Sequence, residues 1–136
     1  MDAVEQAIQD HIQEQCKESL RRLYRAILEN KLLVPVREKP TVDEAGNTHL
    51  PLIFMHFGDG VVATAVFTSK ERLLEWDVKA KAFVRYPGST IFKMVARIPE
   101  IQVILVNYSQ KSQSPKGGFS RREFELLAQG IVPGED

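Results

Sequence analysis

Residues 61–76 of the chain read VVATAVFTSKERLLEW, and this stretch decides the predicted fold. Its first half is short, nearly all apolar and rich in β-branched residues, which is typical of a central strand buried on both faces. The spacing of Thr68 and Glu71 predicts a capping box, in which each side chain binds a backbone N–H of the other residue. We therefore expect a strand over Val61–Phe67, followed directly by a helix over Ser69–Trp76.

A second junction of the same kind lies near the end of the chain. Residues 101–106 read IQVILV and predict another buried strand, which a polar loop at 109–118 follows. Ser120 and Glu123 have capping-box spacing, so they predict the start of a helix. Gly130 is placed to end that helix in a left-handed turn.

The remaining segments complete an α+β fold. A long N-terminal helix, Ala3–Asn30, is predicted because its apolar residues recur at helical spacing and it contains no glycine or proline. The other predicted elements are a meander of strands at Leu32–Val36, Leu50–Phe57 and Val61–Phe67, a hairpin turn at Gly58-Asp59-Gly60, an edge strand over 78–86, and a helix capped by Ser89 or Thr90 that runs to Arg97. We expect a mixed, mainly antiparallel sheet of about five strands with helices packed on it. The chain divides into the N-terminal helix, 1–30, and an α+β domain, 31–136.

Five segments together resemble the N-terminal domain of the SseB family, the bacterial enhanced serine sensitivity family. They are LLVPV (32–36), LPLI (50–53), VFTSKERLLEW (66–76), VILVNY (103–108) and FSRREFELLAQG (119–130). The resemblance runs from Lys31 to Val132, and its most specific element is Phe67-Thr68-Ser69 at the opening of a helix. Tyr108 departs from the family, which often has proline after the asparagine that Asn107 matches. The resemblance implies an SseB-like α+β domain with no established reaction and no established catalytic residues.

Composition limits the partner and the compartment. The 136 residues suit one domain, and the formal net charge is zero, from 18 basic and 18 acidic residues. A binder of phosphate backbones needs a basic excess or stripe, so we expect no nucleic-acid partner. No apolar run reaches the roughly 20 residues of a membrane helix, and the acidic start MDAVEQAIQD is unlike a signal peptide. We therefore expect no membrane partner and a cytoplasmic location.

The residue types that serve catalysis and metal binding lack the spacing those tasks require. His11, His49 and His56 do not follow a zinc-ligand pattern. Cys16 is the single cysteine, and its separation from His11 does not place both on one face of a helix. Nucleophile-elbow, zincin, P-loop and dinucleotide motifs do not occur in the sequence. We predict no catalytic residues, no metal and no cofactor, and a chain that is not an enzyme.

Four residues are candidates for a small-ligand site, namely Thr68, Asn107, Tyr108 and Ser120. Strand ends beside the N-terminus of a helix suit anions and small ligands. Asn107 and Tyr108 end a predicted strand, and Ser120 opens a predicted helix. The alternative for Ser120 is a plain helix cap, because serine is common in that position.

The first half of the N-terminal helix is a candidate for partner binding. Val4, Ile8 and Ile12 form a narrow stripe that drifts around the helix, away from its more apolar second half. This stripe would contact a second copy of the chain or another protein. The alternative is a terminal helix that lies on its own domain.

A basic group on the predicted edge strand is the other candidate for partner binding. Lys79, Lys81 and Arg85 alternate along the strand and share one face. Edge lysines often serve only to block aggregation. The functional interpretation is docking of a protein partner by charge or by strand addition.

Two hypotheses for function stay open on the sequence. The first is a non-catalytic protein-interaction or regulatory module, which binds a protein partner or associates with itself, for instance as a homodimer. The second is a small-ligand sensor or enzyme for an amino acid or another metabolite, with its site near the strand ends. The lack of a catalytic motif favours the first, although a fold by itself does not fix a function.

Overall fold

The structure is a computed structural model that describes residues 2–49, 51–77, 82–109 and 117–133. The helices are α1 (Ala3–Glu14), α2 (Lys17–Glu29), α3 (Lys70–Trp76), α4 (Gly88–Ala96) and α5 (Arg121–Ala128). The strands are β1 (Lys31–Pro35), β2 (Thr41–Val42), β3 (Thr48–His49), β4 (Met55–His56), β5 (Val62–Val66), β6 (Phe83–Pro87), β7 (Val103–Val106) and β8 (Gly117–Ser120). These elements confirm the predicted α+β class.

The strand β5 lies inside a four-stranded sheet of order β4-β5-β7-β8. Its pairing with β7 is parallel, whereas the other neighbours in this sheet pair antiparallel. The strands β1 and β6 form an antiparallel pair, and a bridge between Leu33 and Phe67 joins that pair to the end of β5. The predicted meander is confirmed for β4 and β5. For the first strand it is confirmed only at one antiparallel bridge between Val36 and Leu52, and it is otherwise wrong because β1 pairs along its length with β6.

Helices lie on both faces of the sheet. Because successive strand residues point to opposite faces, Leu32 and Val34 pack in the larger core while Leu33 packs in a smaller one. The larger core joins the sheet to α1, α2, α4 and α5. The smaller core joins it to α3 through Leu73, with Phe67 and Trp76 in ring contact at 5.5 Å. None of the described helices combines the length and the apolar character needed to cross a membrane.

The single predicted helix over Ala3–Asn30 is wrong in its middle. Gln15 adopts a left-handed conformation with φ 47° and ends α1, and the Cys16 sulfur accepts a hydrogen bond from the Ser19 N–H to open α2. The physical reason is tertiary burial: Val4 and Ile8 are 1% and 3% exposed in the larger core, and α1 packs against α2, which two halves of one straight helix cannot do. The alternative, a helix that lies on its own domain, therefore describes these two residues, while Ile12 is 55% exposed.

Two helices begin one or two residues away from the predicted caps. Ser69 caps α3 by accepting a hydrogen bond from the Arg72 N–H at 3.2 Å, so the prediction of Thr68 as the cap is wrong. Thr68 directs its hydroxyl to another residue instead, as described below. The helix α4 begins at Gly88 with Pro87 as its N-cap, so Ser89 and Thr90 lie inside the first turn.

Local predictions are confirmed at the end of the chain and at the hairpin. Ser120 and Glu123 form the reciprocal capping box of α5, and Gly130 follows that helix with φ 77°. Asp59 and Gly60 turn the β4–β5 hairpin with φ 64° and 73°. The predicted loop over 109–118 is too long, since Gly117 and Gly118 already belong to β8, and residues 110–116 lie outside the described residues.

Candidate functional site

The carboxyl ends of the two parallel strands bring Thr68 and Asn107 together. The Asn107 N–H donates to the Val66 carbonyl at 2.9 Å and so continues the β5–β7 ladder by one residue. Asn107 then turns the chain with φ 57°, a left-handed value that asparagine tolerates better than most residues. The Thr68 N–H donates to the Asn107 amide oxygen at 3.0 Å, and the Asn107 amide nitrogen donates to the Thr68 hydroxyl at 3.1 Å.

A buried carboxylate from α1 completes this group. The Thr68 hydroxyl donates to Glu5 Oε1 at 2.7 Å, and Arg72 Nε donates to the same oxygen at 2.8 Å. The Asn107 amide nitrogen lies 3.4 Å from it. The side chain of Glu5 is only 6% exposed. We call Glu5, Thr68, Arg72 and Asn107 the Glu5 cluster.

Charge and hydrogen bonding keep Glu5 ionised. The hydrogen bond from Arg72 lowers the pKa of Glu5 below its ordinary value, and the Thr68 hydroxyl acts in the same direction against the opposing effect of burial. The hydrogen bonds to Glu5 and Glu75 raise the pKa of Arg72. A buried carboxylate that keeps its charge needs several donors, and the cluster supplies them from a strand end, a helix and a second strand end.

The cluster connects three layers of the fold. Glu5 belongs to α1 on one face of the sheet, and Arg72 belongs to α3 on the other. Arg72 also pairs with Glu75 at 2.7 Å, and the Ser109 hydroxyl donates to the Glu75 carbonyl at 3.1 Å. Chemically, the arrangement recognises one carboxylate through a guanidinium, a hydroxyl and an amide.

The four candidate ligand residues do not all lie at one site in the structure. Thr68 and Asn107 meet as predicted by their place at strand ends, although ligand binding by them stays a prediction. Ser120 lies opposite Val103 at the start of β7, whereas Asn107 follows its last residue, so the two are about 13 Å apart along the strand. The reason is that β8 runs antiparallel to β7, so the N-terminus of α5 lies beside the start of β7 and Asn107 lies beyond its end.

Sequence reasoning missed Glu5 and Arg72. One signal for Glu5 was present, because it lies three residues before Ile8 and beside Val4, on the side of α1 that is otherwise apolar. An acidic residue in that position needs a partner once the helix is buried. Nothing local indicates Arg72, because its partner lies more than sixty residues away in the sequence.

A shallow groove lies beside Thr68, and several of the side chains that line it are basic. Its volume is about 420 Å³, and it is bounded by Asp2, Val4, Asn30, Lys31, Thr68, Ser69, Lys70 and Arg85. Arg85, a predicted partner residue, is exposed on β6 and forms part of this wall. Lys79 and Lys81, the other two predicted basic residues, lie outside the described residues.

The break between α1 and α2 also brings His11 near Cys16. His11 Nδ1 and the Ser19 hydroxyl are 2.8 Å apart, and the same hydroxyl lies 3.5 Å from the Cys16 sulfur. The hydrogen bond from Ser19 lowers the pKa of the exposed Cys16 thiol. Their arrangement at the joint caps α2 and fixes the turn. Within the described ranges, no three His, Cys, Asp or Glu side chains gather as a metal site requires.

Aromatic side chains are exposed around β4, which is an edge strand of the four-stranded sheet. Phe54 precedes this strand and is 40% exposed, and Phe57 follows it and is 41% exposed. The ring of Tyr108, one of the predicted ligand residues, lies edge-on to Phe57 with 6.0 Å between centroids. Tyr108 thus points to this hairpin, and we call Phe54, Phe57 and Tyr108 the aromatic edge.

Comparison with known proteins identifies the family. No curated protein matches the chain. The family model for the SseB protein N-terminal domain matches residues 4–113. This match includes α1 and α2, which the resemblance in the sequence left out, and it ends before β8 and α5. Since the match covers most of the chain, the protein belongs to the SseB N-terminal domain family.

Proposed function

We propose that the chain is a non-catalytic protein-interaction or regulatory module that docks another protein on the aromatic edge. The observation that carries this proposal is the exposure of Phe54 and Phe57, at 40% and 41%, on either side of a strand at the end of the sheet. Aromatic side chains bury about 150–250 Å² each and dominate the energetics of many interfaces. A partner that covers these rings would bury the part of that area that is still exposed, which is 40% for Phe54 and 41% for Phe57.

The backbone of β4 adds a second element to this surface. It pairs with β5 on one side and stands last in the sheet order, so an extended segment of a partner could add to it as a further strand. Main-chain hydrogen bonds would then supply affinity, and the two phenylalanines would supply selectivity. The Glu5 cluster supports the same function indirectly, because its polar groups bind one another and hold the layers in place.

Photo-crosslinking at Phe57 tests the proposal. A benzophenone amino acid placed at Phe57, in cells that express the chain, should give one discrete adduct with another protein. The matched control places the same group at Glu44, which is exposed in the β2–β3 turn. Equal adducts at both positions, or none at Phe57, would contradict the proposal.

The groove beside Thr68 favours a second candidate function, the binding of a small anionic metabolite. Lys31, Lys70 and Arg85 surround a space of about 420 Å³, which is large enough for an amino acid or a nucleoside monophosphate. Charge attraction would place an anionic group between these side chains. Asp2, the one carboxylate among the described residues of the wall, would bind an ammonium group if the ligand has one.

A thermal-shift screen of amino acids and nucleotides tests this second candidate. One compound should raise the melting temperature by several degrees, and Arg85→Gln should abolish the shift. Arg122→Gln is the matched control, because Arg122 is exposed on α5 and takes no part in the groove. The metabolite hypothesis would be contradicted if no compound raises the melting temperature, or if Arg85→Gln leaves the rise unchanged.

A further inference from the structure

We propose that α1 exchanges between two copies of the chain, so that a dimer forms in which each α1 docks on the other copy. The surface that α1 occupies has three parts. Val4, Ala7 and Ile8 fill the larger core, and Glu5 fills the cradle of Thr68, Arg72 and Asn107. The connection of α1 to this surface is a joint of two residues, Gln15 and Cys16.

The bent backbone of the joint differs from the continuous helix that its sequence favours. Gln15 has φ 47° and ψ 42°, a left-handed conformation that is strained for a residue with a Cβ atom. Residues 3–29 contain neither glycine nor proline and are mostly good helix formers, so a continuous helix through the joint is locally favoured. In the single chain, the docking of α1 and the capping box of Cys16 and Ser19 keep the joint bent.

Straightening the joint carries α1 away from its own core. The side chains of Val4 and Ile8, now 1% and 3% exposed, would then face water, and the carboxylate of Glu5 would leave Arg72. A second copy offers the same core and the same cradle, so both contacts form again between chains while the joint relaxes. Exchange of an identical element is a general route to dimers of this kind.

The occupant that fits this surface is another α1 and not a small acid. A free carboxylate could replace Glu5 between Thr68 and Arg72. It could not replace the apolar side chains that leave with α1, because their burial needs a helix with the same spacing. A small acid that displaced α1 would leave a monomer, so this outcome is distinct from a dimer.

A charge exchange between Glu5 and Arg72 tests the proposal. Glu5→Lys and Arg72→Glu each place like charges together within one chain, so each variant alone should melt at a lower temperature than the original chain. Equal amounts of the two are unfolded in urea and refolded together. In an exchanged heterodimer, the introduced lysine meets the introduced glutamate, and the native Glu5 meets the native Arg72. The mixture should therefore give a species of twice the mass with a restored melting temperature.

The joint itself supplies a second variant that does not depend on the cluster. Gln15→Gly relieves the strain in the bent form, so the dissociation constant of the dimer should rise about tenfold or more. Gln13→Gly, at an exposed position in the last turn of α1, also places a glycine in the helix but leaves the conformation of Gln15 unchanged, so it serves as the control. Light scattering after gel filtration, over a range of concentrations, measures both.

Two results would overturn the exchange. One is a refolded mixture that remains two monomers with two lowered melting temperatures. The other is an original chain that stays monomeric at every concentration and does not respond to Gln15→Gly. A change at Phe57 leaves both measurements unaffected, so failure here is separate from failure of the aromatic edge as a docking surface.

Discussion

Gly88→Ala should lower the free energy of unfolding by at least about 3 kcal/mol, the upper part of the usual range for overpacking. Gly88 opens α4, where its helix crosses the end of α2. A Cβ atom on Gly88 would lie 1.7 Å from the Ile27 carbonyl oxygen and 2.7 Å from the Ile27 carbonyl carbon. Both are backbone atoms, so no side chain can rotate away and one helix must move.

The contact at Gly88 is fixed from both sides, which limits relaxation. The Gly88 N–H donates to the Asn30 carbonyl at 3.0 Å, and Ile27 is fully buried in the larger core. Moving α4 outward would stretch that hydrogen bond and open the packing around Phe92. Moving α2 would disturb the core contacts of Ile27. Each route loses close-packed contacts that a domain of this size needs.

Thermal and urea unfolding measure the effect of Gly88→Ala. For a domain of this length, about 3 kcal/mol corresponds to a fall of about 10 °C in melting temperature. The control is Gly58→Ala, since a Cβ atom on Gly58 has no neighbour within 4 Å. That control should change stability by less than about 1 kcal/mol. Equal effects at the two glycines would contradict the close approach of α4 and α2.

The parts of the fold that were predicted correctly are those that local sequence encodes. Ser120 and Glu123 are three residues apart and form their capping box without help from distant segments. Asp59 and Gly60 turn the hairpin because both tolerate positive φ. In these cases the residues that make the contact are the residues that form the pattern.

The parts that were missed depend on contacts across the chain. The joint at Gln15 contains no helix breaker, and burial of Val4 and Ile8 bends it. Thr68 and Ser69 both have capping hydroxyls, and only the distant Glu5 and Asn107 decide that Thr68 serves the cluster while Ser69 caps α3. Of the candidate site, the strand-end positions of Thr68 and Asn107 could be predicted, but the carboxylate between them could not.

Asn107→Ala should lower the free energy of unfolding by about 3 kcal/mol. Part of this is the loss of buried hydrogen bonds, about 1–3 kcal/mol for a donor left without a partner, since the Thr68 N–H donates to the Asn107 amide oxygen. The rest is backbone strain of about 1 kcal/mol, because alanine tolerates φ 57° less well than asparagine. Asn107 is 2% exposed, so water cannot readily take the place of its amide.

Asn107→Gly separates the two contributions, because glycine accepts the left-handed conformation and lacks the amide. Its loss should be smaller than that of Asn107→Ala by about 1 kcal/mol, which is the strain alone. Asn47→Ala, in an exposed turn, should be nearly neutral and controls for the loss of an asparagine side chain. Urea unfolding of the three variants gives the order directly. If the two variants lose equal free energy of unfolding, the left-handed conformation of Asn107 carries no cost. If neither variant loses any, the Glu5 cluster does not hold the two strand ends together.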